Sequence, residues 1–151
     1  MKTLELKKEN AIKAFKEADL KGKELLKNLF GDEYFSDKIT DRIKTFTNVL
    51  DELNLSSNFN FTGSKDEIAY TKLKLIAECL NEGWKPNWDN SNEYKYYPYF
   101  DMRSGVGFSG SDYGYWHSTT GCGSRLCFKS KELAEYAGKT FEAIYKDFLT
   151  L

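Results

Sequence analysis

The sequence predicts an α+β fold with N-terminal helices, a three-stranded antiparallel β-meander and a C-terminal helix packed on the sheet. Apolar residues recur at helical spacing before residue 82 and again after residue 129. Between these parts, nine of the 23 residues at 94–116 are Tyr, Phe or Trp, and glycines interrupt them as turns interrupt strands. At 151 residues the chain suits a single domain. Its predicted parts are helical at 1–82, an aromatic meander at 83–128 and a final helix at 129–151.

The first part of the chain predicts helices. Residues 7–30 carry a partly amphipathic pattern that Gly22 weakens and Gly31 ends, which predicts a helix with at most one break. Residues 39–53 predict one continuous helix, because their apolar side chains recur at steps of three and four. These side chains are Ile39, Ile43, Phe46, Val49, Leu50 and Leu53. The weakly charged stretch 54–63 indicates a connector or a short strand.

Two further helices are predicted on either side of the aromatic meander. Ser64 and Glu67 have the spacing of a capping box, so a helix is expected to begin there. Its wide apolar face predicts the most buried helix, ending near residues 81–83. The final helix is predicted to begin at Ser130 and to cover one face of the sheet. Its apolar stripe consists of Leu133, Tyr136, Ala137, Phe141, Ile144 and Phe148.

Three strands are predicted, at residues 94–102, 106–116 and 123–128. Because successive side chains of a strand point to opposite faces, the first strand presents two rows. The predicted core row is Tyr94, Tyr96, Pro98, Phe100 and Met102. The predicted amphipathic row is Lys95, Tyr97, Tyr99, Asp101 and Arg103. The middle strand adds to this second row either Tyr113 and Tyr115 or Gly114 and Trp116.

Composition limits the partners of the chain. Lys and Arg number 22 and Asp and Glu number 23, so the formal net charge of -1 does not favour duplex DNA or an anionic membrane surface. No segment approaches the roughly 18 apolar residues of a membrane span, and charges occupy the positions where a signal peptide would be apolar. Three cysteines, an odd number, fit a reducing compartment. We therefore expect a cytoplasmic protein without a membrane partner.

The candidates for catalysis or metal binding lie between residues 93 and 127. His117, Cys122 and Cys127 are possible zinc ligands with Asp112 as a fourth, but a single hairpin would have to supply all of them. A Cys–His pair at these positions lacks a recognisable orienting group. The strand acids Glu93, Asp101 and Asp112 alternate with Lys95, Arg103 and Arg125 as cross-strand ion partners do. We expect no catalytic residue, metal or cofactor.

Glycines at positions 105, 107 and 110 have the G-x-G-x-x-G spacing of a dinucleotide-binding turn. Such a turn follows a strand and opens a helix within a βαβ unit. In this chain aromatic strands flank the glycines on both sides, and no helical pattern follows them. We therefore predict that these glycines form a tight hairpin turn and a bulge, with no cradle for a phosphate group.

The amphipathic row is the candidate binding surface, and the predicted ligand-binding residues are Tyr97, Tyr99, Arg103, Trp116 and Arg125. Such rings can stack nucleic-acid bases for about 1–3 kcal/mol each, and the arginines can contact phosphate. Tyr, Trp and Arg are equally typical of protein interfaces. The zero net charge of residues 83–128 argues against single-stranded nucleic acid. If helices cover both faces of the sheet, the same rings are simply core.

Three functions remain open from these observations. The first is a non-enzymatic binding protein whose aromatic sheet face takes a protein or a nucleotide-containing ligand. The second is a small assembly subunit, whose exposed rings would lie at the symmetric interface of a homo-oligomer. The third and less favoured function is an enzyme built around Asp112, His117 or Cys122.

Four segments of the chain also carry a family resemblance. They lie at 41–46, 80–88, 97–100 and 123–139, and the most distinctive motifs are the Trp84–Trp88 segment and Ser124-Arg-Leu-Cys-Phe128. These segments resemble a family of small uncharacterised proteins of similar length, carried by Bacteroides-type gut bacteria, their mobile elements and their phages. The resemblance implies a phage or mobile-element accessory protein in the cytoplasm. It implies no activity and no functional residues.

Overall fold

The computed structural model describes residues 8–103 and 109–150, and these form seven α-helices and a two-stranded antiparallel sheet. The predicted α+β class is confirmed. The prediction of three strands is wrong, because the described residues form only two. The chain divides into two compact units, Met1–Ser57 and Asn58–Leu151. The prediction that these residues make a single domain stays a prediction.

The Met1–Ser57 unit is helical. Its elements are α1 (Lys8–Glu17), α2 (Leu20–Phe30), a single 3₁₀ turn (Asp32–Phe35), α3 (Ile39–Arg42) and α4 (Phe46–Glu52). The sequence predicts one helix over residues 7–30 with at most one break, and in the structure a break divides this region into α1 and α2. The break falls at Asp19, whose carboxylate accepts from the Gly22 N–H at 2.8 Å and so caps α2.

The helix predicted at 39–53 is wrong as one continuous element. Ile43 is extended after α3, and Thr45 begins α4 with its own capping box. The Asn48 N–H donates to Thr45 Oγ1 at 3.3 Å, and Asn48 Oδ1 accepts from the Thr45 N–H at 3.0 Å. A capping box stabilises a helix start wherever it occurs, so it interrupts the apolar stripe. The buried members of that stripe are Ile39, Ile43, Val49 and Leu50.

A largely buried ion-pair network around Glu52 links α1, α3 and α4. Arg42 donates from Nη2 to Glu52 Oε1 at 3.1 Å and from Nε to Oε2 at 3.3 Å, and Lys8 also donates to Oε2. A third Arg42 nitrogen donates to the Ser36 carbonyl at 2.6 Å. Burial raises the pKa of Glu52, but the hydrogen bonds from Arg42 and Lys8 outweigh burial and hold the pKa below its ordinary value.

We expect Glu52→Gln to destabilise the Met1–Ser57 unit by about 1.5–3 kcal/mol at pH 7, because charge-assisted hydrogen bonds are lost. A carboxylate with a lowered folded pKa stabilises the fold above its unfolded pKa, and this stabilisation is lost as pH falls through the folded pKa. Amide exchange in residues 39–57, corrected for its intrinsic rate, should therefore accelerate below pH 4.5 in the native chain. Glu52→Gln should remove that acid response.

The matched control is Asp51→Asn, which removes an exposed carboxylate from the same helix. It should leave both the protection at pH 7 and the acid response intact. Equal exchange in the Glu52 and Asp51 variants would contradict a role for the network.

The Asn58–Leu151 unit combines the sheet with three helices. Its elements are α5 (Lys65–Asn81), β1 (Lys95–Asp101), β2 (Ser109–Trp116), α6 (Lys131–Thr140) and α7 (Glu142–Leu149). The capping box of Ser64 and Glu67 is confirmed. Helix α5 ends where Glu82 and Gly83 adopt φ values of 49° and 85°. The single C-terminal helix that the sequence predicts is divided at Phe141 into α6 and α7.

The predicted third strand reduces to one bridge between Tyr96 and Phe128. These two residues exchange backbone hydrogen bonds of 3.0 and 2.7 Å. The next such pair in an antiparallel ladder would be Pro98 with Leu126, and Pro98 has no N–H to donate. In the other direction, Ser130 already caps α6. The ladder therefore cannot extend on either side of the bridge.

The pairing of β1 with β2 decides which residues share a face. Tyr97 lies opposite Gly114 and Lys95 lies opposite Trp116. Gly114 and Trp116 therefore belong to the amphipathic row, and the two tyrosines of β2 lie on the other face. There they form a ring cluster with the first residues of the predicted core row. Centroid distances in this cluster include 5.6 Å for Tyr96–Tyr113 and 5.1 Å for Tyr94–Tyr115.

The predicted core row is only partly buried. Phe100 is buried, but Tyr94 and Met102 are 45% and 55% exposed. Helix α6 crosses the sheet at Gly138, where a Cβ atom would lie 3.0 Å from Pro98 Cβ and 3.6 Å from Phe100 Cζ. Because the helix crosses at the middle of β1, it leaves the two ends of the row exposed.

Lys95 is fully buried, which corrects its prediction as a surface ion partner on the amphipathic row. The loop after α5 folds back over its side chain. Lys95 Nζ donates to the carbonyls of Asn90 and Glu93 at 3.0 and 2.7 Å, and lies 3.3 Å from the Glu93 carboxylate. It also lies 5.4 Å from the ring centroid of Trp88. These partners replace the water that a buried ammonium loses.

We expect Lys95→Met to lower the free energy of unfolding of the Asn58–Leu151 unit by about 1–3 kcal/mol, because Met fills similar space but cannot donate to the loop carbonyls. All three tryptophans of the chain lie in this unit, so urea unfolding followed by tryptophan fluorescence reports on it. The control is Lys129→Met, which removes an exposed ammonium that pairs with Glu82 at 3.1 Å. Equal urea midpoints for the two variants would contradict the structural role of Lys95.

Candidate functional site

The candidate site is an apolar cleft beside the stacked rings of Tyr97 and Trp116, termed the Tyr97–Trp116 cleft. Its volume is about 340 Å³, which is in the range of small-ligand pockets. The sheet, the loop after β2 and α7 supply its walls. Among the residues that line it are Tyr99, Cys122, Tyr145, Phe148 and Leu149. No described residue of the lining carries a charge, so the cleft offers an apolar surface.

A glycine on β2 makes room for the ring stack. Tyr97 faces Gly114 across the ladder, and a Cβ atom at Gly114 would overlap the Tyr97 ring. The rings of Tyr97 and Trp116 stack with centroids 5.5 Å apart and planes inclined by 21°. Both residues are half-buried, and Tyr99 beside them is 58% exposed. Three of the five predicted ligand-binding residues therefore share one accessible wall.

The indole Nε1–H of Trp116 is buried and has no hydrogen-bond acceptor among the described residues. A buried donor without an acceptor costs about 1–3 kcal/mol, so such groups are rare in native proteins. This N–H is therefore a local cost to stability beside the ring stack.

The two predicted arginines do not line the Tyr97–Trp116 cleft. Arg103 is exposed, and its Nε donates to both carboxylate oxygens of Asp101 at 3.0 Å. These hydrogen bonds hold the pKa of Asp101 below its ordinary value. Arg125 lies in a different groove, together with Trp84. The five predicted residues therefore do not form one site: three line the cleft, and Arg103 and Arg125 each lie elsewhere.

The residues considered for catalysis or metal binding have ordinary structural contacts. His117 Nδ1 lies 2.8 Å from the Ser91 carbonyl, and its ring packs 4.8 Å from that of Tyr94. Asp112 accepts from the Tyr113 N–H at 2.8 Å. Within the described ranges, no three His, Cys, Asp or Glu side chains lie together as a metal ion would require. Gly105 and Gly107, two of the three glycines predicted to form a hairpin turn and a bulge, lie outside the described residues.

The thiols lack the environment that activates a cysteine nucleophile. Burial raises the pKa of Cys122, which lines the cleft, and raises the pKa of Cys127 to about 12. A reactive cysteine needs the opposite shift, because the thiolate is the nucleophile. Cys79 is buried in α5. Protonated thiols at neutral pH act as small apolar side chains in this unit.

Sequence reasoning missed the contribution of α7 to the cleft. Tyr145 is buried and packs 4.9 Å from Phe100, yet the predicted stripe of the last helix did not include it. The prediction assumed one continuous helix, whereas in the structure α6 ends and α7 begins at Phe141. The sequence did carry a signal: Tyr145 lies four residues after Phe141, a member of the predicted stripe, and residues four apart share one face of a helix.

Comparison with protein-family models, with curated proteins and with solved structures gives no match to this chain. The resemblance to proteins of gut bacteria and their phages therefore stays a prediction. In the part of the chain that the structure describes, no helix has the length and apolar character that crossing a membrane requires.

We expect a thiol reagent such as dithionitrobenzoate to react at pH 8 with Cys122 more slowly than with free cysteine and negligibly with Cys127. The reason is that a raised pKa leaves less thiolate at a given pH, so reaction should increase only as pH approaches the raised values. In urea all three thiols should react at similar rates. A Cys122→Ser variant assigns the faster native phase. A native rate above that of free cysteine would contradict this view and favour a catalytic thiol.

Proposed function

We propose that the protein is a non-enzymatic binding protein whose Tyr97–Trp116 cleft takes apolar side chains from a segment of another protein. The observation that carries this proposal is the apolar, accessible cleft without a charged residue in its described lining. A nucleotide would bring phosphates that find no cation there, and Arg103 outside it already contacts Asp101. The geometry therefore favours the protein ligand over the nucleotide ligand for this cleft.

The affinity expected for a peptide in the cleft follows from the free energies of side-chain burial and of association. Burying one Leu or Phe side chain contributes about 1.5–3 kcal/mol. Association costs at least about 4 kcal/mol in lost motion, and even millimolar affinity requires a net gain of about 4 kcal/mol, so one buried side chain does not suffice. A physiological partner must add contacts outside the cleft, which is usual for an interface in which a few anchors dominate.

The direct test is a ¹⁵N NMR titration with four capped peptides of about ten residues, which add contacts outside the cleft and differ only in a central Leu, Phe, Ser or Asp. Leu and Phe peptides should shift the amides of Tyr97 and Phe148, and the Trp116 indole resonance should move because its ring lines the cleft. Ser and Asp peptides should have weaker effects, because they bring less apolar surface. Equal shifts with all four peptides would contradict the proposal.

A matched pair of variants ties binding to the cleft. Gly121 lines it, and a Cβ atom there would lie 3.6 Å from Trp116 Cζ2 in ordinary contact, so Gly121→Leu should fold and fill the space. Thr119→Leu adds a leucine at an exposed position of the same loop outside the cleft. The Gly121 variant should abolish the shifts, and the Thr119 variant should retain them. A dimer that dissociates only in Gly121→Leu would instead identify the occupant as a second copy of the chain.

A further inference from the structure

A second groove in the Asn58–Leu151 unit differs from the cleft in being lined by cations. Its volume is about 680 Å³, and it runs along α5 beside the segments 83–86 and 124–125. Lys74, Lys85 and Arg125 line it against a single acid, Glu78. Trp84 is the aromatic residue of its lining, so the feature is termed the Trp84 groove.

Hydrogen bonds hold the walls of the Trp84 groove in place. Asn81 is buried, and its side chain donates to the Cys127 carbonyl at 2.8 Å and accepts from the Lys129 N–H at 3.0 Å. Its carbonyl accepts from the Trp84 N–H at 3.0 Å. On the opposite wall, the Trp88 indole donates to Ser124 Oγ at 2.7 Å, directly before Arg125. The groove is therefore preorganised rather than formed by mobile side chains alone.

The groups that face this groove are available for a ligand. Among the described residues, neither Lys85 nor Arg125 has a carboxylate partner, and Lys74 contacts only the ring of Tyr70, at 4.7 Å from its centroid. Elsewhere in the same unit exposed lysines pair with nearby acids, as Lys139 does with Glu135 at 3.5 Å. No described ring stacks on half-buried Trp84.

We propose that the Trp84 groove binds a nucleotide, with the base stacked on Trp84 and the phosphate bound by Arg125 and Lys85. Base stacking on an aromatic side chain contributes about as much as a charge-assisted hydrogen bond, so both parts are needed for useful affinity. A volume of about 680 Å³ accommodates a ligand of this size. The site is independent of the peptide cleft, which lacks cations.

A simpler role for the cations exists and shapes the experiment. Lys85 and Arg125 lie near the C-terminal end of α5, where carbonyl groups attract positive charge and cations stabilise a helix. Both roles predict that removing these charges lowers the melting temperature. Only the binding role predicts a response to added nucleotide.

The test uses the full chain and three probes at low salt: AMP, adenosine and inorganic phosphate, measured by calorimetry and by ¹⁵N shifts of the Trp84 indole. AMP should bind at least tenfold more tightly than either of its parts. Arg125→Gln and Lys85→Gln should each weaken AMP at least threefold and leave adenosine unchanged. Trp84→Leu should weaken AMP and adenosine but not phosphate. Lys139→Gln, which removes a lysine outside the groove, should leave AMP affinity unchanged.

Three outcomes would overturn the assignment. The first is AMP binding no tighter than phosphate, which would indicate an anion site without base recognition. The second is equal loss of affinity in Lys85→Gln and Lys139→Gln, which would indicate unspecific charge attraction. The third is that the native chain does not respond to AMP, while the Lys85→Gln and Arg125→Gln variants melt at a lower temperature. That result would assign the two cations to helix stability. Far-UV circular dichroism of each variant verifies that it folds. If Arg125→Gln does not fold, Lys85→Gln tests the phosphate contact in its place.

Discussion

The buried ammonium of Lys95 is the constraint on which the second unit depends. A charge that is removed from water needs fixed partners, and the partners of Lys95 are the carbonyls and carboxylate of the loop between α5 and β1. This requirement holds the loop against the first residue of the sheet. Trp88, whose ring lies against the ammonium, in turn contacts Ser124. One buried charge thereby orders both the loop and a wall of the Trp84 groove.

A second buried polar side chain, Asn81, acts in the same way at the end of α5. Its two hydrogen bonds reach across 46 and 48 residues to the segment that leads into α6. Among the described residues, that segment has one bridge to the sheet, so strand pairing alone would hold it weakly. In place of a third strand, the fold uses a side-chain amide to satisfy backbone groups that would otherwise lack partners. The two-stranded sheet remains small, and the rings of Tyr97, Tyr99 and Trp116 stay accessible beside α7.

The sequence predicts those helices and strand faces that depend on the spacing of nearby residues. Helical spacing and the capping box at Ser64 located α5, and alternation placed Tyr97 and Tyr99 on one face. The rest depended on long-range contacts. Lys95 has the same local pattern as a surface lysine, and only the loop that covers it makes it buried. Pro98 was read as a member of the core row, although its missing N–H also limits the sheet. Thr45 and Asn48 form a capping box without the usual Glu or Gln, so the sequence pattern does not reveal the break before α4.

For the candidate site, the wall formed by Tyr97 and Tyr99 was predictable from the alternation along β1. The separation of Arg125 from this wall required the positions of α5 and the 123–128 segment.

The distribution of charge separates the two candidate sites by chemistry. An apolar cleft gains affinity from the area it removes from water, so it discriminates weakly among side chains of similar size. A groove with unpaired cations discriminates by charge, since a ligand without an anion leaves those cations without a new partner. In the apolar cleft, burial raises the pKa of the Cys122 thiol, so less thiolate is present at a given pH. Hydrogen-bonded walls and cations without a carboxylate partner among the described residues are features that lower the cost of binding. These features support the binding role proposed for the Asn58–Leu151 unit.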